Sequence, residues 1–93
     1  MTDITERVEL DRSFGADPLP EQIAAIIRAR IADGTYRTRV GSIISLADEF
    51  AVGRSTSHAA LVMLSEAGEI RLEPGRGYFV AAPVEAGEVA HAG

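Results

Sequence analysis

The sequence predicts a mainly α domain with a small β-hairpin, arranged as a winged helix-turn-helix. Three observations carry that expectation. Apolar residues recur with a helical period in three successive stretches. The second and third stretches are separated only by Ala51-Val52-Gly53, room for a tight turn and nothing more. After Gly68 the period switches from helix to strand, on either side of Pro74-Gly75.

The first helix is expected over about 18–33. Asp17 offers a capping carboxylate and Pro18 suits the first helical position. Ile23, Ile26, Ile27 and Ile31 form its apolar stripe, Leu19 extends it, and Gly34 ends it. Arg28 and Arg30 fall off the stripe, so a solvated helix face is expected for both. A short loop with Tyr36, Arg37 and Arg39 leads to Ser42, the cap of a second helix over about 43–50. Ser45 stands at the third position of that helix, where a capping box prefers glutamate. Ile43, Leu46, Ala47 and Phe50 share one face, and Ile44 falls outside it.

The third helix is expected over about 54–67, with Ala60, Leu61, Leu64 and Ala67 inward and Gly68 as its stop. Wing strands over about 70–72 and 78–81 flank Glu73-Pro74-Gly75-Arg76, a type II turn with Gly75 at positive φ. Ahead of the first helix, residues 4–10 alternate in polarity. They read either as a short strand over about 7–11 or as a polar tail. The Ala-, Gly- and Glu-rich residues 83–93 carry no stripe and are expected to be a flexible tail. The organisation is therefore an extension over 1–17, a winged helix-turn-helix over 18–82, and that tail.

Composition narrows the function. A chain of 93 residues supports one modest core. Without cysteine there is no disulfide framework or thiolate metal site, which suits a reducing cytoplasm. The first residues have no signal-peptide pattern, and no apolar run approaches the roughly 20 residues of a membrane helix. Two histidines without a matched nucleophile and orienting acid give no catalytic set, so neither an enzyme nor a cofactor is expected.

The net charge of −5 would ordinarily disfavour nucleic acid, but its distribution weakens the objection, so charge neither makes nor breaks the case. Residues 1–17 hold five acids against two arginines, and residues 18–80 hold seven of each. Every cation is arginine, the residue suited to bidentate contact with phosphate or guanine. The opening turn of the third helix carries Arg54, Ser55 and His58 on its outer side. A helix start bearing donors and the positive dipole end suits phosphates and base edges.

Pro18-Leu19-x-Glu21-Gln22-Ile23-Ala24 and Ile31-x-x-Gly34-x-Tyr36 resemble the first helix of the GntR family of bacterial transcriptional regulators and its exit. Leu46-Ala47-x-x-Phe50-x-Val52-x-Arg54-x-Thr56 and Ala60-Leu61-x-x-Leu64-x-x-x-Gly68-x-Ile70 are similar to its two inner helices. Gly75-x-Gly77-x-Phe79-Val80 is similar to its wing, and Val8-Glu9-Leu10-Asp11 to a lead-in strand. The resemblance covers about Val8–Val80. It implies a bacterial, sequence-specific DNA-binding regulator with its third helix in the major groove and its wing on the adjacent backbone.

It also implies DNA-facing roles for Arg37, Arg39, Ser42, Gly53, Arg54, Ser55, Thr56, His58, Arg76 and Gly77. The bland alternatives are a pairing of Arg54 with Glu49 or Glu66, a solvated loop for Arg37 and Arg39, and an ordinary hairpin for Arg76. Gly75-Arg76-Gly77 is no phosphate loop, because a strand follows it.

Departures from the family pattern are specific. The usual Pro-Gly after the tyrosine is missing, which shortens the loop before Ser42 by two residues. Gly53 replaces a capping serine, His58 replaces a DNA-contacting arginine, and Ser57 replaces a core aliphatic. An unpaired buried hydroxyl costs roughly 1–3 kcal/mol, so Ser57→Val is expected to stabilise the domain. The family's C-terminal effector domain has no counterpart, and a homodimer on a two-fold DNA operator is the expected assembly. The other reading is a winged helix serving as a protein-interaction module or accessory factor, supported by the acidic balance, His58 and Ile44.

Overall fold

The computed structural model describes residues 8–81. Three helices, α1 (Leu19–Ala32), α2 (Ile43–Phe50) and α3 (Arg54–Glu66), precede two strands, β1 (Ile70–Glu73) and β2 (Gly77–Val80). These are the expected elements, with ends moved by a residue or so. The tail over 83–93 and the extension before Val8 lie outside the described residues.

Each helix buries the side of its stripe that faces the others. Ile23 and Ile27 of α1, Leu46 and Phe50 of α2, and Leu61 and Leu64 of α3 are fully buried, with Ile70 of β1 beneath them. Ala67, expected on the inward face of α3, is exposed: it is the C-cap, past the last full turn. Gly68 then takes φ 79°. Its N–H donates to Ser65 O and that of Glu69 to Leu64 O, the paired bonds of a Schellman stop.

The lead-in strand does not form among residues 8–11. Its backbone groups are spent elsewhere. The Val8 N–H donates to the Glu49 carbonyl at 3.3 Å, and the Asp11 N–H to Gln22 Oε1 at 2.8 Å. Gln22 Nε2 donates in turn to the carbonyls of Asp11 and Asp17, closing the intervening loop onto α1. The Ser13 hydroxyl and N–H both donate to Asp11 and hold its carboxyl below the usual aspartate value.

Asp17 does not cap α1. The N-cap is Pro18, whose carbonyl accepts from Glu21 and Gln22, so the helix starts one residue later than expected. Arg30 also departs from expectation. It is a structural residue, not a solvated one, donating to both Glu49 carboxylate oxygens at 3.2 and 2.6 Å and to the Tyr36 hydroxyl at 2.7 Å. Its guanidinium lies 5.5 Å from the Phe50 ring centre. The bonds to Glu49 push its pKa further above the ordinary arginine value. Arg28, half exposed, pairs with Glu69 at 2.7 Å.

The turn between α2 and α3 is tight because Ala51 takes the left-handed conformation, φ 56° and ψ 50°. Its N–H and that of Val52 return to Asp48 O and Ala47 O, a stop that glycine usually provides. An alanine held there costs roughly 1–2 kcal/mol. Arg12 offsets part of that, since its Nη2 donates to the Phe50 and Ala51 carbonyls at 2.9 and 3.1 Å. A cation at this helix end also complements the dipole.

Ser57 is fully buried, as its register predicts, but its hydroxyl has a partner. It donates to the Ile43 carbonyl in the first turn of α2 at 2.8 Å. The expected gain from valine is therefore corrected: the substitution removes a satisfied bond and adds bulk where α2 and α3 meet.

Two outcomes follow for thermal unfolding read by circular dichroism. Ser57→Ala loses a bond worth about 1 kcal/mol and lowers Tm by roughly 4–8 °C, with Ser57→Val no better than Ser57→Ala. A valine variant more stable than the parent would show that the bond contributes nothing. Ala51→Gly relieves the left-handed strain and raises Tm by about 4 °C or more, despite the entropy glycine adds to the unfolded chain.

Candidate nucleic-acid interface

The Ser57 bond fixes how the candidate residues meet. It sets the first turn of α3 against the first turn of α2, so the amino ends of both helices lie side by side. Each end carries unpaired N–H groups and a partial positive charge. Ser42 caps α2 with a full capping box, its hydroxyl accepting from the Ser45 N–H while Ser45 Oγ accepts from the Ser42 N–H, both at 3.0 Å. Serine at the third position thus does the work expected of glutamate without adding a negative charge.

Gly53 caps α3 with no side-chain bond, and a Cβ there would meet nothing within 4 Å. From this start Arg54, Ser55 and His58 are exposed, Thr56 is half-buried, and Ser57 alone points inward. Among the described residues, the side chains of Arg54, Arg37 and His58 make no hydrogen bond or ion pair. Glu49, one proposed partner for Arg54, is occupied by Arg30.

The wing adds a second cationic group. In the β1–β2 ladder Arg71 faces Phe79 and Glu73 faces Gly77. The turn closes with Arg76 N–H on Glu73 O at 2.8 Å and Gly75 at φ 80°, as the Pro-Gly pair predicts. The hairpin has an addition that the sequence reading missed. Val40 N–H donates to Tyr78 O and Val80 N–H to Thr38 O, so residues 38–40 lie along β2 as a bridged third edge.

That edge carries Arg39 to the wing. Its Nη2 donates to the Arg76 carbonyl at 2.7 Å, and its guanidinium lies 5.5 Å from the Phe79 ring centre. Gly77 lies beneath it at φ 116°, a conformation that residues with a side chain rarely adopt. Arg39, Gly77 and Ser42 line one groove of about 310 Å³ between the wing and α2, with Val40 and Gly41. Thus Arg39, Arg76, Gly77 and Ser42 are brought together, Gly53 to His58 form the adjoining helix start, and Arg37 joins neither by any bond.

Phe79 is the residue that sequence reasoning undervalued. It appeared as a wing hydrophobe, yet Arg39, Arg71 and Arg76 all stack on it, at 5.5, 5.7 and 5.3 Å. The usable signal was the alternation of β2, which places Phe79 opposite the core-facing Tyr78 and Val80. Among the described residues, no group of acids and histidines is placed to hold a metal. No helix is long and apolar enough to cross a membrane.

Three helices, a tight interhelical turn and a hairpin define a winged helix-turn-helix domain of the kind found in transcription regulators. The profile of the bacterial regulatory proteins, gntR family, matches residues 19–80, and the chain belongs to that family. Comparison with curated protein sequences gives no match.

Among solved structures, YtrA from Sulfolobus acidocaldarius, a GntR-family transcription factor, is 29% identical with a TM-score of 0.70. The match covers 84% of this chain and 83% of that one. AraR(DBD) in complex with operator ORX1 shares the fold at a TM-score of 0.75 and 23% identity, over 82% of this chain and 98% of that chain. A GntR family transcriptional regulator from Listeria monocytogenes is 27% identical at a TM-score of 0.68, matching 74% of this chain but only 62% of its own length.

Proposed function

We propose that this chain is a sequence-specific DNA-binding regulator that reads the major groove with the start of α3 and rests its wing on the neighbouring backbone. One observation carries the reading: Arg54 stands exposed, and unpaired among the described residues, on the first turn of α3 beside the amino end of α2. An arginine there has its whole fork available for a guanine edge. Ser55, Thr56 and His58 complete the base-facing set. Ser42, Gly53, Arg37, Arg39, Arg76 and Gly77 serve the sugar-phosphate rails, where they set register without reading sequence.

The AraR domain was crystallised with operator DNA, which supports the same use of this fold here. A homodimer on a two-fold operator is the assembly we infer, because one recognition helix of this size spans only a half-site. The alternative, a protein-interaction module, draws on Ile44, which is 59% exposed on α2. A gel shift against random-sequence duplex separates the two readings, since only the regulator retards it.

Arg54→Ala removes a contact worth roughly 1–3 kcal/mol per base pair read and abolishes selection of a preferred site, with the fold unchanged. Equal affinity of variant and parent for that site would place the recognition residues elsewhere. Arg76→Ala weakens binding to all duplexes alike and lowers the slope of log affinity against log salt by about one. A change in base preference instead would assign Arg76 to a base edge.

A further inference from the structure

Three guanidiniums gather over Phe79 on the outer face of the wing, and two of them share one carboxylate. Arg71 donates to Glu73 Oε2 from Nε and lies 2.8 Å from it through Nη2, while Arg76 Nη1 donates to Oε1 at 2.9 Å. The ladder explains the arrangement. Arg71 and Glu73 alternate onto one face of β1, and the residue opposite Glu73 is Gly77, whose missing side chain leaves the carboxylate uncovered. The turn then folds Arg76 back onto the other carboxylate oxygen.

The three arginines differ in what they have left to give. Arg71 has all its nitrogens engaged, because Nη1 also donates to the Val80 carbonyl at 3.1 Å. Arg76 uses only Nη1 on the carboxylate, and Arg39 only Nη2 on the Arg76 carbonyl. Arg76 is nevertheless 69% exposed, against 26% for Glu73. Arg76, more exposed than Arg71, is therefore already paired with a mostly covered acid that Arg71 holds in place.

From this geometry we propose that Glu73 is a brake on the wing: it competes with DNA phosphate for Arg76 and lowers the affinity of the domain for every duplex. The inference rests on the DNA-binding reading above and names its regulation. A phosphate reaching Arg76 has to displace the carboxylate or lie against it, and either outcome costs affinity. The pair is exposed and contributes little to stability, so its chief effect falls on what the arginine can bind. Removing the charge leaves a wing face of three arginines with no acid among them.

The test is Glu73→Gln, which keeps an acceptor for Arg71 and removes the charge. Affinity for a random-sequence duplex, and for the duplex that the wild type selects from it, is measured by fluorescence anisotropy across a salt series. Glu73→Gln is expected to bind both severalfold more tightly at low salt, with a salt slope steeper by about one. Its advantage then shrinks about 3.5-fold between 50 and 200 mM salt.

The double variant with Arg76→Ala should lose most of the gain. A gain that persists undiminished there is diffuse electrostatics and overturns the brake. So does a Glu73→Gln protein that binds no better than wild type while its circular dichroism is native. The arms separate this proposal from the reading beneath it. If neither wild type nor Glu73→Gln binds any duplex, the DNA-binding reading fails and takes the brake with it. If wild type selects a site and Arg54→Ala abolishes that selection, only the Glu73 comparison is at stake.

Discussion

A single hydrogen bond inside the core sets the relation on which the rest of the surface depends. Ser57 brings α3 against the backbone of α2, its hydroxyl 2.8 Å from the Ile43 carbonyl and its side chain fully buried. A serine is small enough to let the two helices approach, and its donor is satisfied by a carbonyl that has a second lone pair to offer. With Ser57 inward, helical geometry turns Ser55 and His58 away from the core, and Arg54 is exposed as the first residue of the helix. The same contact sets the amino ends of α2 and α3 side by side, so that two partial positive charges act on one region. Core packing and site geometry are here one fact.

The arginines divide according to what surrounds them. Arg12 ties the end of α2, Arg30 is enclosed by Glu49, Tyr36 and Phe50, Arg28 meets Glu69, and Arg71 is spent within the wing. Arg37 and Arg54 are left without partners among the described residues, while Arg39 and Arg76 are only partly engaged. A net charge of −5 is thus compatible with a cationic face, because much of the arginine serves the fold and the rest is gathered near the wing and helix starts.

What could be read from sequence was whatever is local. The helical stripes, the stop at Gly68, the Pro74-Gly75 turn and the cap at Ser42 depend on residues close in the chain, and all appear in the fold. Apart from the Asp17 cap and the inward Ala67, both at helix ends, what failed was long-range. Arg30 looked solvated because Glu49 is 19 residues away, and Ser57 looked costly because its acceptor is 14 residues away. The alternation of Val8 to Asp11 suggested a strand, but a strand needs a partner edge, and these amides find Glu49 and Gln22 instead. Residues 38–40 gave no strand signal for the converse reason: their pairing is supplied by β2. The candidate site was legible as a set of residues, while the ring of arginines around Phe79 required the ladder register.

The two halves of the interface carry charge differently, and this bears on specificity. The first turn of α3 contains no acid, and among the described residues Arg54 has no partner to surrender. On the wing, one nitrogen of Arg76 is already held by Glu73. On the proposed reading, discrimination between sequences comes from the unencumbered helix, whereas the wing supplies the sequence-independent, salt-dependent part of affinity. Weakening only the second part lowers specific and non-specific affinity by the same factor and leaves their ratio unchanged, because both complexes make the backbone contacts. On that reading, an acid in the wing then sets how tightly any duplex is held, while the choice among sequences is left to the helix.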